Sequence, residues 1–157
     1  MDKITEGNVL PKFELTSTTG KTINEKDILG KNTLLFIYPK DGTKSCTLEA
    51  QEFSNCKKSF AALGIQVFGI SGDSIASHKK FLNKYDLDLE LLSDEDLSFI
   101  QLIGSWVEKS MYGKKYMGIE RTTVLVSKEG KVLKIWRKVR VRDHVNQVLA
   151  FAKKICN

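Results

Sequence analysis

The sequence predicts an α/β protein with a central mixed sheet flanked by helices. Two short, continuously apolar runs at 33–38 and 65–71 indicate buried strands, and the helical pattern between them at 46–63 completes a parallel β-α-β unit. Later in the chain, two apolar runs at 122–126 and 132–136 are joined by a short turn containing glycine, which is typical of an antiparallel hairpin. A parallel unit and an antiparallel hairpin together predict a mixed sheet.

The amino-terminal part of the chain predicts a β-hairpin and the first central strand. Residues 12–23 surround a Thr-Gly turn, and residues 24–29 have the pattern of a short helical turn. The strand at 33–38 is rich in aromatic and branched residues and ends at Pro39, which has no N–H to give to a neighbouring strand. A polar loop then leads to the cysteine that opens the helix at 46–63.

The middle of the chain predicts further helices. Gly64 can end the first helix, because glycine readily takes the left-handed backbone that follows a helix C-terminus. Ser74 can cap a second helix that runs to about residue 84, with apolar residues at helical spacing. A brief apolar stretch at 89–92 follows, and Ser93 can cap a third helix whose apolar residues face the core.

The last third of the chain predicts a loop, an edge strand and a terminal helix. Residues 104–120 carry aromatic residues and lysines with weak periodicity, which favours a long ordered loop. The basic run 136–142 alternates like an edge strand with a solvated face, and Asp143 can cap a helix to about residue 154. In this order, the elements predict a thioredoxin fold with an N-terminal β-hairpin extension.

Length and composition predict one soluble domain spanning residues 1–157. The chain has 157 residues, of which 41% are hydrophobic and 28% charged, as is ordinary for a globular protein. No segment approaches the roughly 20 apolar residues of a membrane span, and no export signal opens the chain, so we expect a cytoplasmic protein without a membrane partner. The formal charge of +6 is mostly spread along the chain, which argues against a nucleic-acid partner.

The three cysteines predict neither a disulfide framework nor a metal site. The chain has no export signal, no Cys-x-x-Cys pair and no Cys/His cluster of the kind that holds zinc. The two histidines, His78 and His144, lie in predicted helices beside charged neighbours, where a surface or packing role is the simpler interpretation. We therefore expect no bound metal and no histidine base.

Cys46 lies where the polar loop enters the helix at 46–63. The first turn of a helix has unpaired N–H groups and the positive end of the helix dipole, which favour an anion such as a thiolate. Holding a cysteine mostly as thiolate at neutral pH takes about 3 kcal/mol relative to a free thiol, whereas a helix terminus supplies only about 0.3–1 kcal/mol. A reactive Cys46 therefore needs a further cation or several hydrogen bonds.

The residues around Cys46 carry a family resemblance. The spacing Pro39-x-x-x-Thr43-x-x-Cys46 resembles the peroxiredoxin active-site signature, and its surroundings are similar to the bacterioferritin comigratory protein, or peroxiredoxin Q, subfamily. The similarity covers nearly the whole chain. Further matches to that subfamily occur in the same order at 38–41, 46–50, 71–74, 78–81, 91–94 and 111–123.

This resemblance implies a monomeric thiol-dependent peroxidase that uses no cofactor. Cys46 would be the peroxidatic cysteine, Thr43 a hydrogen-bond donor to the peroxide, Pro39 a shield over the pocket, Arg121 the cation and Glu49 the residue that orients it. The substrates would be hydrogen peroxide and organic hydroperoxides, and the role antioxidant defence. Arg121 immediately precedes a predicted hairpin strand, and the direction of that strand decides whether the guanidinium reaches the sulfur.

Gln51 is the main departure from the subfamily pattern. It lies five residues after Cys46, where many members carry the resolving cysteine. Cys56 is ten residues along the same predicted helix, or about 15 Å away, whereas a disulfide needs Cα atoms within about 7 Å. Cys156, near the chain end, reaches Cys46 only if the terminal helix docks near the site or detaches. We expect a one-cysteine peroxidase recycled by an external thiol such as thioredoxin, glutaredoxin or glutathione.

Two other functions stay open at this point. One is a general thiol-disulfide oxidoreductase on the same fold, against which the missing Cys-x-x-Cys pair argues. The other is a redox sensor or basic binding module that has kept the fold without catalytic recycling.

Overall fold

The computed structural model describes residues 3–156, which form a seven-stranded mixed sheet with helices on both faces and a separate two-stranded hairpin. Within these residues, no helix combines the length and the apolar character needed to cross a membrane. The helices are α1 (Lys44–Ala62), α2 (Ile75–Lys84), α3 (Ser98–Ile103) and α4 (His144–Ile155). The strands are β1 (Glu14–Ser17), β2 (Thr22–Asn24), β3 (Asn32–Ile37), β4 (Ile65–Ser71), β5 (Glu90–Ser93), β6 (Trp106–Met111), β7 (Lys114–Ile119), β8 (Thr122–Val126) and β9 (Val132–Trp136).

The large sheet has the strand order β2-β1-β5-β4-β3-β8-β9. Strands β5, β4 and β3 run parallel, while β8 is antiparallel to β3 and begins with Thr122 opposite Ile37. The antiparallel pair β1–β2 extends the sheet on the far edge. This arrangement is a thioredoxin fold with an N-terminal hairpin extension, as predicted, and it puts the residue before β8 at the carboxyl end of β3.

The core lies on both faces of the sheet because successive side chains of a strand point in opposite directions. In β3, Leu35 and Ile37 join the apolar cluster that α3 covers, while Leu34, Phe36 and the residue after the strand, Tyr38, join the cluster that α1, α2 and α4 cover. All five side chains are fully buried. The predicted strand with two covered faces is therefore confirmed.

Several predicted boundaries agree with the structure to the residue. Strands β4, β8 and β9 have the predicted bounds, and α2 begins after Ser74, whose hydroxyl oxygen accepts a hydrogen bond from the Ser77 amide. The Gly64 backbone is left-handed, with φ of +75°, immediately after the last residues of α1. These elements form where local capping and the pattern of buried residues favour the same structure.

The predicted cap of the third helix is wrong by several residues. Ser93 is the last residue of β5, and α3 begins only at Ser98. The helix amides are satisfied by Asp94 instead, because its carboxylate accepts hydrogen bonds from the backbone N–H groups of Phe99 and Ile100. A carboxylate that lies several residues before the helix replaces the predicted serine cap.

The predicted loop at 104–120 is mostly a β-hairpin, formed by β6 and β7. Its two central residues, Tyr112 and Gly113, have φ of +52° and +79°, as a tight two-residue hairpin turn requires. The hairpin pairs only with itself, and most of its side chains are at least partly exposed. Because burial does not impose a two-residue period, the sequence pattern there is weak.

The basic run at 136–142 is not an edge strand, because β9 ends at Trp136 and Lys138 has a left-handed backbone with φ of +48°. Arg137 turns inward and donates hydrogen bonds to the carbonyl oxygens of Ile4 and Ile103. Asp143 precedes α4 as predicted, but its side chain accepts no hydrogen bond from the helix amides.

Gly69 lies in β4 where the sheet leaves no room for a side chain. A Cβ atom there would lie 2.6 Å from Leu91 and 2.7 Å from Phe36. We expect Gly69→Ala to lower the free energy of unfolding by about 1–3 kcal/mol, measured by urea denaturation, because overpacking a tight core forces side chains off their preferred rotamers. Gly118→Ala is the matched control, because its nearest neighbour is the flexible Lys109 side chain at 3.1 Å. Equal losses in the two variants would contradict this prediction.

Candidate active site

The loop between β3 and α1 places Cys46 in the first turn of a helix. Thr43 is the extended residue before the helix, with φ of −72° and ψ of 156°, and Cys46 is the third residue of α1. The thiol is 1% exposed. The N–H groups of the first turn have no partner within the helix, so they and the helix dipole favour negative charge near the sulfur.

Arg121 supplies a cation at the same place. Because β8 runs antiparallel to β3, the residue preceding Thr122 lies at the carboxyl end of β3, next to the cysteine loop. Its guanidinium Nη2 donates a hydrogen bond to the Cys46 sulfur at 3.3 Å. The direction of β8, which the sequence left open, is the one that brings guanidinium and sulfur together.

Glu49 holds the other side of the guanidinium. It lies one turn after Cys46 on α1, is fully buried, and its Oε1 accepts a hydrogen bond from Arg121 Nη1 at 2.7 Å. Burial raises the pKa of Glu49 from 4.5 to about 7, and the opposing effect of the neighbouring guanidinium does not cancel it. The second carboxylate oxygen is buried and has no hydrogen-bond partner within the described chain.

The charge of Arg121 is therefore shared between two acidic groups. Burial alone would lower the pKa of the guanidinium, but Glu49 and then the Cys46 sulfur raise it above its ordinary value. The arginine side chain is 12% exposed, so water screens these interactions only weakly. With Glu49 and the Cys46 sulfur both ionised, one buried cation would face two anions.

Thr43 and Pro39 both belong to the loop between β3 and α1. Thr43 is exposed, and its hydroxyl donates to the Lys40 carbonyl oxygen at 3.1 Å instead of capping α1. Thr43 is therefore the N-cap residue of α1 by its backbone position, and its side chain makes a local turn contact. Its own carbonyl oxygen accepts hydrogen bonds from the amide and the hydroxyl of Thr47, which anchors the start of the helix.

A cavity of about 340 Å³ opens beside Arg121. The β6–β7 hairpin forms one of its walls, so the segment that the sequence left as a loop borders the site. The cavity is lined by Pro39, Val107, Glu108, Lys109, Glu120, Arg121, Lys138 and Val139. These walls combine apolar surface with charged groups, and Arg121 is shared by the cavity and the sulfur.

The other two cysteines lie away from Cys46. Cys56 is on α1, ten residues further along, and packs against the apolar cluster beneath that helix. The Cys156 sulfur accepts a hydrogen bond from the Asn32 side chain at 3.5 Å. Asn32 is the first residue of β3, whereas the Cys46 loop follows the last one, so Cys156 and Cys46 lie at opposite ends of that strand.

Both histidines are buried. The Nε2 atom of His144 pairs with the Thr123 hydroxyl at 2.8 Å, and burial together with Arg121 lowers the pKa of this imidazole to about 4, so it is neutral. His78 is fully buried and pairs with Asp41 at 2.7 Å. The sequence indicated His78 only through its spacing with apolar residues on α2, which predicts an inward side chain but not a partner.

Three potential metal ligands meet beside the cysteine loop. Within residues 3–156, Asp41, Asp73 and His78 bring ligand atoms within 4.8 Å of one another. His78 already uses both ring nitrogens in hydrogen bonds, and both carboxylates accept hydrogen bonds from nearby groups. The cluster is therefore a closed hydrogen-bond network, whereas a metal site needs free lone pairs.

A thioredoxin fold that presents a buried thiol at a helix start, in contact with a guanidinium, defines the class of thiol-dependent peroxidases. The sequence model of the AhpC/TSA family matches residues 7–135. Peroxiredoxin Bcp of Bacillus subtilis is 42% identical over 147 residues, covering 94% of each chain.

Two solved structures show the same similarity. The bacterioferritin comigratory protein of Xanthomonas campestris superposes with a TM-score of 0.90 at 34% identity, over 99% of this chain and 100% of that one. A cysteine-to-serine mutant of Xylella fastidiosa PrxQ gives a TM-score of 0.93 at 28% identity, over the full length of both chains. The chain belongs to the AhpC/TSA family and is a peroxiredoxin of the Bcp/PrxQ type, a thiol-dependent peroxidase.

Stability should depend on pH through Glu49. Its pKa is raised in the fold, so ionising it opposes folding; the penalty is absent below about pH 4.5 and grows until about pH 7. Glu49→Gln removes this charge and keeps an acceptor for Arg121. Relative to the parent, we expect the variant to gain up to about 2–3 kcal/mol of unfolding free energy as the pH rises through that window.

Urea denaturation at several pH values from about 4.5 to 8 measures this difference. Glu14→Gln, at an exposed glutamate of β1, reports the effect of removing one carboxylate outside the site. A Glu49→Gln variant whose stability relative to the parent falls as the pH rises would contradict the interpretation.

Proposed function

We propose that this peroxiredoxin is a one-cysteine enzyme that reduces hydrogen peroxide and alkyl hydroperoxides. In this proposal Cys46 attacks the peroxide, Arg121 and Thr43 hold its oxygens, Glu49 orients the guanidinium, and Pro39 shields the pocket. The observation that carries it is the 3.3 Å contact between Arg121 Nη2 and Cys46 Sγ, combined with the pairing of Nη1 to Glu49.

The reaction follows from a thiolate beside a bound peroxide. The Cys46 sulfur attacks one peroxide oxygen, a sulfur–oxygen bond forms, and the oxygen–oxygen bond breaks. The sulfur is oxidised to a sulfenic acid, and the other oxygen leaves as hydroxide or alkoxide and takes up a proton to become water or an alcohol. A guanidinium with several donors suits this step because it can hold the sulfur anion and the developing charge on oxygen together.

Arg121 also provides stabilisation of the Cys46 thiolate that the start of the helix alone does not supply. A charge-assisted hydrogen bond is worth about twice a neutral one, and this one lies in a site from which most water is excluded. Glu49 keeps the guanidinium plane in place from the opposite side through a 2.7 Å hydrogen bond. Arg121, oriented by Glu49, therefore supplies a positive charge at the place where the negative charge of the Cys46 sulfur must be stabilised.

Organic hydroperoxides fit the cavity beside Arg121. Its walls include Pro39, Val107 and Val139, which offer apolar surface for an alkyl group, and Arg121, which offers the guanidinium. The related Xanthomonas campestris protein is described as having alkyl peroxide reduction activity. We extend this substrate class to the present chain on these two grounds.

Recycling requires a thiol from outside the chain. Cys56 is about 15 Å along the same helix, and Cys156 lies at the other end of β3. A disulfide needs Cα atoms within about 7 Å, so either pairing would require α1 to unwind or α4 to detach. An external thiol such as thioredoxin, glutaredoxin or glutathione would condense with the sulfenic acid and release water. A second thiol would then regenerate Cys46.

We place the enzyme in the cytoplasm as a monomer with a role in antioxidant defence. The three cysteines are free thiols, the state that a reducing compartment maintains. Cys46, Glu49 and Arg121 come from one chain, so the site needs no second copy to assemble. The proposal includes no nucleic-acid or membrane partner.

Removing the thiol should abolish turnover. We expect Cys46→Ser to consume hydrogen peroxide no faster than the reductant alone, because a serine hydroxyl is not ionised at neutral pH and cannot attack the peroxide as a thiolate does. Cys56→Ser and Cys156→Ser serve as matched controls and should keep the parent rate with an external thiol. A Cys46→Ser protein as active as the parent would refute the assignment.

A disulfide from Cys46 to either other cysteine, found by mass spectrometry after one equivalent of peroxide, would refute the one-cysteine scheme.

Arg121→Lys tests the two-sided contact of the guanidinium. Lysine keeps the charge but cannot donate in a fixed fork to both the sulfur and Glu49. We expect the rate constant for oxidation of reduced enzyme by hydrogen peroxide to fall about a hundredfold, as when one donor is removed from an oxyanion site. Arg137→Lys, at an arginine that donates to backbone carbonyls, is the control. A lysine variant as fast as the parent would show that charge alone suffices.

A further inference from the structure

Asp41, in the loop that leads into the cysteine helix, is held from four directions. Its backbone N–H donates to the Asp73 carboxylate at 2.8 Å. Its own carboxylate accepts from the Tyr38 hydroxyl at 2.6 Å, from the Ser77 hydroxyl at 2.9 Å and pairs with His78 Nδ1 at 2.7 Å. These partners come from the end of β3, the end of β4 and helix α2, so the loop is tied to three elements at one residue.

The hydrogen-bond pattern determines where the protons lie. His78 Nε2 is 3.0 Å from the carbonyl oxygen of Leu92, which can only accept, so Nε2 carries a proton. Nδ1 lies 2.7 Å from an Asp41 carboxyl oxygen, so one of the two atoms must carry a proton, and we assign it to Nδ1 because a carboxylic acid is ordinarily a stronger acid than an imidazolium. Burial, and then the charge of Asp41, raise the pKa of Tyr38 well above its ordinary value, so this phenol stays protonated and donates. The pair is therefore an imidazolium and a carboxylate.

The pair is buried, with the His78 side chain 0% exposed and that of Asp41 5% exposed. A buried ion pair is weak evidence of a stabilising role, because desolvating two charges offsets much of their attraction, and its best-attested use is to select one conformation. The carboxylate of Asp73 faces the Asp41 backbone, and Lys80 and Lys84 border the surface groove outside. The network thus selects one arrangement of the loop.

The loop has few other restraints. Lys40, Gly42 and Thr43 are exposed, and Gly42 has φ of +82°, a conformation that glycine adopts without strain. Apart from Asp41, the hydrogen bonds within the loop are local, such as that from Thr43 to the Lys40 carbonyl oxygen. The Asp41 clamp is therefore the main connection between this segment and the body of the protein.

We propose that His78 is a positioning residue for the peroxidase reaction. Its imidazolium holds the Asp41 carboxylate, and Asp41 in turn fixes the loop that carries Pro39 and Thr43 against Cys46. The inference rests on the proposed function, because it assigns His78 an effect on the peroxide step. His78 touches no reacting atom, so its effect passes through the loop.

Two reactions of Cys46 separate this positioning from the reactivity of the sulfur. Oxidation by hydrogen peroxide, followed by stopped flow in a single turnover, needs the placed loop. Alkylation by iodoacetamide needs an accessible thiolate but no bound peroxide. For His78→Gln, which cannot bridge Asp41 and Leu92 together, we expect oxidation to slow about tenfold to a hundredfold, as for a small misplacement in an active site, while alkylation keeps the parent rate.

Variants of Asp41 test whether restoring its hydrogen bonds also restores the rate of oxidation. Asp41→Ala removes every side-chain contact of the clamp and should slow oxidation as much as His78→Gln does. Asp41→Asn keeps an acceptor for Tyr38, and its amide can donate to a neutral His78 Nδ1 while Nε2 still donates to Leu92. Asp41→Asn should therefore keep most of the oxidation rate that Asp41→Ala loses. Nitrogen-15 NMR should show two protonated ring nitrogens for His78 in the parent and one in Asp41→Asn.

His144→Gln is the matched control, because His144 is the other histidine of the chain, is buried and neutral, and does not contact the cysteine loop. It should lower the unfolding midpoint without slowing oxidation.

The inference is overturned if folded His78→Gln oxidises at the parent rate, if oxidation and alkylation slow together, or if the parent imidazole is neutral. Should His78→Gln not fold, equal rates for Asp41→Ala and Asp41→Asn would overturn it. Failure of the proposed function itself would appear separately, as peroxide consumption by Cys46→Ser.

Discussion

One guanidinium between two acidic groups is the interaction on which this site depends. Arg121 contacts the Cys46 sulfur with one nitrogen and the Glu49 carboxylate with the other, in a place that water scarcely reaches. A buried cation is costly without a partner, and a buried anion equally so. The three groups therefore require one another: the arginine is tolerated because acids surround it, and a sulfur anion is tolerated because the arginine is there. Glu49 orients the guanidinium, and its burial raises its own pKa to about 7 despite the neighbouring positive charge.

The sheet brings together groups that the chain keeps 75 residues apart. Two connections meet at the carboxyl end of β3: the loop that follows this strand, and the residue that enters its antiparallel neighbour β8. Both are carried by strands buried on each face, so neither can shift without disturbing the core. Rigid strands and short connections suit a site that must hold a sulfur and a guanidinium within hydrogen-bond distance.

Prediction from the sequence succeeded where local pattern and burial agree, and failed where long-range contacts decide. The strand 33–38 could be read from its composition, because a strand covered on both faces is apolar at every position. The β6–β7 hairpin could not, since nothing covers it and no periodicity results. The helix start at Cys46 could be predicted. By contrast, the contact with Arg121 depended on the direction of a strand, which pattern alone does not give. A surface or packing role was predicted for His78, but its partner Asp41 is 37 residues away, and no local signal links them.

The burial of Cys46 makes the two halves of the catalytic cycle structurally different. Arg121 both lines an open cavity and contacts the Cys46 sulfur, whereas a sulfur that is 1% exposed is out of reach of a bulky thiol. In the proposed cycle, reduction by an external thiol therefore needs the first turn of α1 to open and expose the sulfur. That turn has no side-chain cap and no acidic residue to match the helix dipole, so opening it costs less than opening a well-capped helix. The loop before this turn would stay in place while the turn opens, because Asp41 connects the loop to three elements through hydrogen bonds. A fixed loop next to a helix turn that can open lets the oxidised sulfur move out and return to the same place beside the guanidinium.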